Sequence, residues 1–251
     1  MNILCTICAR KGSKEIKNKN IKNLFGKPLI LHTLDLAKKI KVFNKIAVSS
    51  DSKKILNICK KKSNILIHRP RHLSNDTISK IQVIKHTLKC SEKRFKTKYD
   101  VIFDLDVTSP LRLKSDVYKA FKIFKRKKAD NLISVNTSHK NPYFNMVEMK
   151  NKKITLIKKI KKNKTKKKEH QTPSRRWSSF VRRQSSPRVF EMNAAIYIWN
   201  RLRLINSDTL FFKDTSVYIM PQNRSIDIDT INDLNLVKKI IGNDKKKFND
   251  I

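Results

Sequence analysis

Glycine is scarce in this chain, with three among 251 residues. None stands at the spacing G-x-x-x-x-G-K-[ST], so a Walker A phosphate loop is excluded. Long apolar runs are missing too: no stretch approaches the ~20 apolar residues of a membrane span. The short apolar run at the amino terminus leads into a charged loop without a small-residue cleavage site, so no signal peptide is expected. Four cysteines without framework spacing argue against a disulfide scaffold and fit a cytoplasmic chain. G-x-S-x-G, H-E-x-x-H and Cys–His patterns are absent, and the six histidines have no ligand spacing. Acidic residues are few, 20 against 59 Lys and Arg, for a net charge of +39. Such an excess suits a polyanion such as RNA. Yet the charge is spread along the chain, only Lys158–Lys168 is a true cluster, and it holds no aromatic residue on which bases could stack. Lysines on solvated helix faces are the expected reading, and neither a membrane nor a nucleic-acid partner is expected. A non-catalytic basic RNA-binding protein stands as the alternative from a different class.

What is present is alternation. The length fits one α/β domain with a small appendage. Strands are expected at Asn2–Cys8, Lys45–Ser49, Ile65–Ile67, Val101–Leu105 and Leu132–Val135. Helices are expected from Pro28 to Lys39, at Lys53–Lys61 with Asp51 as its cap, at Asp76–Leu88 and at Asp116–Phe124. This order predicts a mainly parallel, layered sheet whose ligands sit at the carboxyl ends of the strands. The loops after Cys8 and Leu105 and the segment near Asp227 are therefore the candidate walls of a site. Further on, Phe144–Met149 and Lys153–Ile157 read as strands around an Asn151-Lys152 turn, and Lys158–Arg176 as a basic loop or arm. Asn193–Trp199 and Val217–Met220 read as strands, and Asp229–Ile241 as the closing helix. Cys5 and Cys8, three apart on a strand, point to opposite faces and read as free thiols.

Four constellations carry chemistry. The loop with Arg10, Gly12, Ser13, Lys14, Lys19 and Asn20 follows the first strand. It offers fixed cations and donors for a polyphosphate, with Gly12 where the backbone must turn sharply or approach a ligand. An ordinary basic turn is the competing reading. Asp104 and Asp106 end an apolar strand on one side of it, and buried carboxylates there need a partner or a metal. Asp106 is a candidate Mg²⁺ ligand, with a helix cap or a lysine partner as the alternative. Asp227 and Asp229 alternate with isoleucines and also face one way, as Mg²⁺ ligands beside phosphate oxygens, with Asp229 doubling as a cap. Arg182-Arg183 offers a fork for a carboxylate, and Asn193 and Tyr197 are placed on a strand to line a sugar pocket.

Four stretches follow in order across nearly the whole chain: A-R-K-G-S-K-E-I-K-N-K-N at 9–20, T-S-P-L-R at 108–112, N-A-A-I-Y at 193–197 and S-I-D-I-D at 225–229. Asp76-Thr77 precedes the third helix. As a set they resemble the acylneuraminate cytidylyltransferase family, which makes CMP-activated nonulosonic acids. L-D-V-T-S-P-L-R, N-P-Y-F-N-M-V-E at 141–148 and R-R-Q-x-x-P at 182–187 resemble the branch acting on bacterial diamino sugars such as legionaminic acid. The resemblance implies a three-layer α/β/α, Rossmann-like nucleotidyltransferase core over 1–140 and 188–251. It also implies a protruding β-rich arm over 141–187 that dimerises the enzyme and borders the sugar site.

The implied reaction is Mg²⁺-dependent transfer of CMP from CTP to the anomeric hydroxyl of a nine-carbon keto-sugar acid, legionaminic-acid-like or sialic acid, releasing pyrophosphate. Another keto-sugar acid is the alternative substrate. In these terms Arg10, Gly12, Ser13, Lys14, Lys19, Asn20 and Ser79 hold the nucleotide, with Asp76–Lys80 near the cytosine. Arg10, Lys14 and Asp227 are catalytic, and Asp227, Asp229 and Asp106 carry Mg²⁺. Asp106, Arg183, Asn193 and Tyr197 contact the sugar acid. Glu15 stands where the family usually has Gly, Lys17 where Pro is common, and Asp106 where the sialic-acid enzymes carry an amide.

Overall fold

The computed structural model describes residues 1–13, 15–158, 186–244 and 248. In chain order the first half holds β1 (Ile3–Cys8), β2 (Asn23–Leu24), β3 (Lys27–Pro28), α1 (Leu29–Lys38), β4 (Lys45–Ser50), α2 (Lys53–Cys59), β5 (Ile65–His68), α3 (Lys80–Phe95), β6 (Val101–Leu105), α4 (Lys114–Arg126) and β7 (Asn131–Thr137). Then come β8 (Val147–Lys150), β9 (Lys153–Leu156), β10 (Phe190–Asn200), α5 (Arg201–Asn206), β11 (Thr215–Ile219) and α6 (Ile231–Asn243). The chain forms two compact units, Met1–Asn136 with Met192–Ile251, and Thr137–Glu191.

The larger unit is built on a seven-stranded sheet in the order β11-β7-β10-β6-β1-β4-β5. The pairs β1–β4, β1–β6, β4–β5 and β7–β11 are parallel, and β10 runs antiparallel to β6. Strand β1 is central because its Ile-Leu-Cys-Thr-Ile-Cys run buries side chains on both faces, the pattern of a strand covered by helices on each side. The two faces separate by alternation. Ile3, Cys5 and Ile7 join one core with Leu34 of α1, Ile55 of α2, Phe121 of α4 and Val237 of α6. Within that core Phe103 sits edge-on between Phe43 and Phe121, at centroid distances of 5.0 and 5.4 Å. Leu4, Thr6 and Cys8 face the other way, toward α3. Thr87 of that helix lies 3.8 Å from the Cys8 thiol. This is a three-layer α/β/α arrangement, and the layer beneath α3 carries the polar residues.

The element order follows the alternation read from the sequence, and the departures are local. Helix α3 starts at Lys80 rather than Asp76, because Ser79 is the residue whose side chain accepts from a first-turn amide, Gln82 N–H. Ser52, not Asp51, caps α2 in the same way, and Asp51 instead accepts from Lys11 N–H at 2.7 Å. Thr230, not Asp229, caps α6, in a capping box with Asp233. Helix α5 and the β2–β3 hairpin were not signalled by periodicity, being too short to show one. That hairpin turns through Phe25 and Gly26 with φ of 48° and 79°, so Gly26 is the glycine with a conformational requirement. Gly12 has no left-handed φ, and a Cβ there would meet nothing within 4 Å. Of the two expectations for Gly12, a sharp turn or close approach to a ligand, the second fits its place in the cavity lining described below.

In the smaller unit, β8 and β9 form an antiparallel hairpin through Asn151 and Lys152, with φ of 49° and 61°. The expected strand from Phe144 is shorter, because Asn141 folds the preceding residues into a turn, accepting from Tyr143 N–H at 2.9 Å. Val147, Met149 and Ile154 are exposed on the hairpin. Most of the basic Lys158–Arg176 stretch lies outside the described residues.

One buried ion pair ties the carboxyl-terminal third to the sheet. Asp116 of α4 is fully buried and receives Arg224 Nε at 3.1 Å and Nη2 at 2.5 Å, Tyr218 Oη at 2.7 Å and Leu113 N–H at 2.8 Å. Removing one member strands the other charge, which typically costs about 3–5 kcal/mol. Asp116→Ala is expected to lose stability of about that size in equilibrium urea unfolding. A loss below ~1 kcal/mol would show that the pair does not hold this region.

Candidate active site

The site grows from the carboxyl ends of β1 and β6 on the α3 face. After β1 the chain is pinned by Ala9 N–H on Ser49 O at 2.9 Å, then swings outward until Ile16 returns to the core. A 3₁₀ turn at Lys19–Ile21 follows, entered through Asn18 in the left-handed region. The buried Asn20 donates its side-chain amide to Arg10 O at 2.9 Å, closing the loop on itself. Arg10 and Lys19 are thereby aimed at the same space, a cavity of about 350 Å³. Gly12, Ser13 and Asn20 line it as well. Glu15 and Lys17, the two departures from the family pattern, are exposed and lie outside this lining.

The far wall comes from the other end of the chain. Ile228 N–H donates to Thr108 O at 2.8 Å, which brings the S-I-D-I-D segment onto the T-S-P-L-R turn. Asp106, Thr108, Asp227 and Asp229 all reach the cavity. Lys19 Nζ meets Asp229 Oδ1 at 2.7 Å, and Arg10 forms an ion pair with Asp76. The cationic loop and the acidic segment thus share one cavity despite a sequence separation of 210 positions between Lys19 and Asp229.

Asp227 is half-buried, and its Oδ1, itself shielded from solvent, has no hydrogen-bond partner. Burial first, and then the negative charge of Asp106, push its carboxyl up to about 6; Asp229 adds to the effect, while Thr108 and Lys19 oppose it. Two carboxylates that approach phosphate space, one with an orphaned buried oxygen, fit a hard divalent cation that takes its remaining ligands from phosphate and water. No cluster of three or more acidic, His or Cys side chains able to hold a metal alone is found among the described residues.

Asp106 is held differently from the expectation of a metal ligand. Its Oδ2 receives Lys80 Nζ at 2.5 Å and its Oδ1 receives Thr108 Oγ1 at 3.0 Å, so both oxygens have protein partners. Burial works against its charge, but Lys80 and Thr108 prevail and hold the carboxyl below the usual range. Lys80 also lies 2.9 Å from Asp104 Oδ2 and 4.7 Å from the centroid of the Tyr197 ring. Burial disfavours its ammonium, yet Asp104 and Asp106 keep it protonated well above the ordinary lysine range.

Other expected site residues are absorbed by the framework. Ser79 is occupied as the α3 cap and is not part of the cavity lining. Asn193, expected against a sugar, is buried and spends its amide internally: Oδ1 accepts from Ser134 Oγ at 2.6 Å and Nδ2 donates to Ser225 Oγ at 2.9 Å. It is thus a tie between β10, β7 and the acidic segment. Tyr197 is buried beneath Lys80 and also lies outside the lining. Lys14 and Arg183 lie outside the described residues.

Of the cavity cations, the sequence reading missed Arg69, and it placed Lys80 only within the Asp76–Lys80 stretch near the cytosine, without a role of its own. Arg69 is buried and donates Nη2 to Ser49 O at 2.9 Å; nothing in its surroundings in sequence marks it. Lys80 did leave a trace. It falls on the same helical face as Ile84, Thr87 and Ser91, the buried face of α3, where a solvated lysine has no place. In so lysine-rich a chain that signal was hidden by composition.

Comparison with known proteins places the chain in a family. Residues 4–240 match the cytidylyltransferase family. The chain is 38% identical over 240 residues to the post-translational flagellin modification protein B of Campylobacter coli, covering 95% of this chain and 94% of that one. With the same coverage it is 37% identical to the CMP-N,N'-diacetyllegionaminic acid synthase of Campylobacter jejuni. It is 29% identical to an N-acylneuraminate cytidylyltransferase of Streptococcus agalactiae, over 93% of this chain and 52% of that protein. Among solved structures, a CMP:2-keto-3-deoxy-manno-octonic acid synthetase complexed with CTP superposes with a TM-score of 0.65 at 15% identity, covering 97% of this chain and all of that one.

The elevated Asp227 carboxyl sets a pH dependence. Between about pH 4 and pH 6 the unfolded chain has released this proton while the folded chain keeps it, so stability falls as pH rises across that window and stays lowered above it. In metal-free buffer Asp227→Asn is expected to be the more stable protein at pH 8, by on the order of 2–3 kcal/mol. The advantage should vanish below about pH 4, because both side chains are then neutral. Chemical unfolding at the two pH values checks this, and an advantage independent of pH would contradict it.

Proposed function

The chain belongs to the cytidylyltransferase family, and from that premise we propose that it transfers CMP from CTP to the anomeric hydroxyl of a nonulosonic acid of the legionaminic type, with release of pyrophosphate. The observation that carries this reading is the convergence of Arg10, Lys19 and Asn20 with Asp227 and Asp229 on one cavity. The substrate class is supported by the 37% identity to a CMP-N,N'-diacetyllegionaminic acid synthase over nearly the full length of both chains. Asp106, fixed in its ionised form at the cavity wall, suits a sugar that presents N–H or O–H donors.

In this reading Arg10 and Lys19 exchange their present partners, Asp76 and Asp229, for the phosphates of CTP. Fixed cations beside the β- and γ-phosphates stabilise the charge that builds on departing pyrophosphate. Asp227 and Asp229 would hold Mg²⁺ together with phosphate oxygens. Bound there, Mg²⁺ would supply Lewis-acid polarisation of the α-phosphate. The anomeric hydroxyl yields its proton to solvent water as its oxygen bonds to the α-phosphorus, and the bond from that phosphorus to the bridging oxygen breaks to release pyrophosphate. The chain contributes mainly alignment, by seating both reactants on rigid strand ends. Lys14 on the phosphates and Arg183 on the sugar carboxylate extend the reading to residues outside the described set. The inserted unit, with its exposed hairpin side chains Val147, Met149 and Ile154, is assigned to a cytoplasmic homodimer.

The test is pyrophosphate release by the purified chain given CTP, Mg²⁺ and a panel of N,N'-diacetyllegionaminic, pseudaminic and N-acylneuraminic acids. Fastest turnover is expected with the first, with complete loss on chelation. Asp227→Asn is expected to lower kcat by about 100-fold or more. A folded protein that turns over none of the panel would reject the assignment.

A further inference from the structure

Lys80 stands apart from the other cavity cations. Arg10 and Lys19 pair with partly exposed carboxylates, whereas Lys80 is set against a fully buried one. Asp104 lies wholly inside the protein, on the α3 face of the central strand pair. Its Oδ1 accepts from Thr6 Oγ1 at 2.6 Å. Its Oδ2 has no hydrogen-bond partner, and its compensation is the ammonium at 2.9 Å. Asp106, two residues on, turns its Oδ2 to the same nitrogen at 2.5 Å. The Tyr197 ring closes the remaining side at 4.7 Å, a cation–π contact.

Two carboxylates side by side at a strand end, next to phosphate space, are themselves a cation site. We infer that the Lys80 ammonium permanently occupies the place a second divalent ion would take between Asp104 and Asp106, so that the enzyme works with a single metal ion, at Asp227 and Asp229. Lys80 is in this sense a positioning residue: it neutralises the pair, and it orients Asp106 toward the cavity without solvent-derived metal. The placement explains why both other carboxylate oxygens are already spent on hydroxyls, from Thr6 and Thr108. A resident ammonium needs only one oxygen from each acid. The inference rests on the proposed metal position at Asp227 and Asp229, and the experiment separates the two.

Bound Mn²⁺ per chain is counted by the loss of the free-ion electron paramagnetic resonance signal, with CTP present and no sugar acid. The count is compared between the wild type and Lys80→Met, an unbranched, uncharged replacement. One additional ion per chain in Lys80→Met is expected, and an unchanged count in the folded variant overturns the inference. Asp106→Asn in the Lys80 background gives a second reading that survives if Lys80→Met does not fold. It is expected to leave the wild-type count unchanged, and loss of an ion would place Asp106 among the metal ligands and overturn the inference. A wild-type count that Asp227→Asn leaves unchanged speaks against the Asp227–Asp229 position alone, because the difference made by Lys80→Met is read independently of it.

Discussion

A carboxylate without access to solvent has to find its counter-charge inside the protein, and Asp104 imposes that demand at the centre of the sheet. Much of the site can be read as its answer. Thr6 in the neighbouring strand gives up a core position to a hydroxyl that serves it. Helix α3 must place a cation opposite, so its first turn is anchored by the Ser79 cap directly before Lys80. Tyr197 in β10 is in register with Asp104 and carries an aromatic face rather than another aliphatic side chain. Four elements are locked at one point by a single charge.

A second buried pair works at a distance from the cavity. Arg224 reaches Asp116, and immediately after it Ser225 is tied to Asn193 and Ile228 to Thr108. Asp227 lies between these fixed points. Its carboxylate is therefore set by the framework rather than by local helix geometry, and the same framework holds it half-buried at the cavity wall. The raised carboxyl follows from this immobility, since a free loop would turn the group outward to solvent.

The layered α/β plan was legible because burial on both faces of a strand and on one face of a helix leaves different periods in the sequence. Arg10, Lys19, Asp227 and Asp229 were marked as candidates by charge and spacing, with a basic turn and a helix cap as the competing readings, and the fold brings all four to one cavity. Roles decided by partners were not legible. Asp229 reads from the sequence as both ligand and helix cap, and in the fold Thr230 takes the cap while Lys19 pairs with the acid. Asn193 lies in a motif that invites a ligand, yet Ser134 and Ser225 claim its amide. Lys80 was obscured because lysine is everywhere in the chain, so identity carried little information and only helical phase marked it.

The Lys19–Asp229 contact has a consequence for which molecules gain admission. A lone anion would draw the ammonium away and abandon the acid; a lone cation would draw the acid away and abandon the ammonium. Either intruder breaks one contact for each that it makes. A visitor carrying both signs, a polyphosphate already wearing its counter-ion, satisfies the two halves together. With Asp229 largely exposed the pair is worth at most ~1 kcal/mol, so it tilts the cavity only slightly toward a visitor that carries both signs.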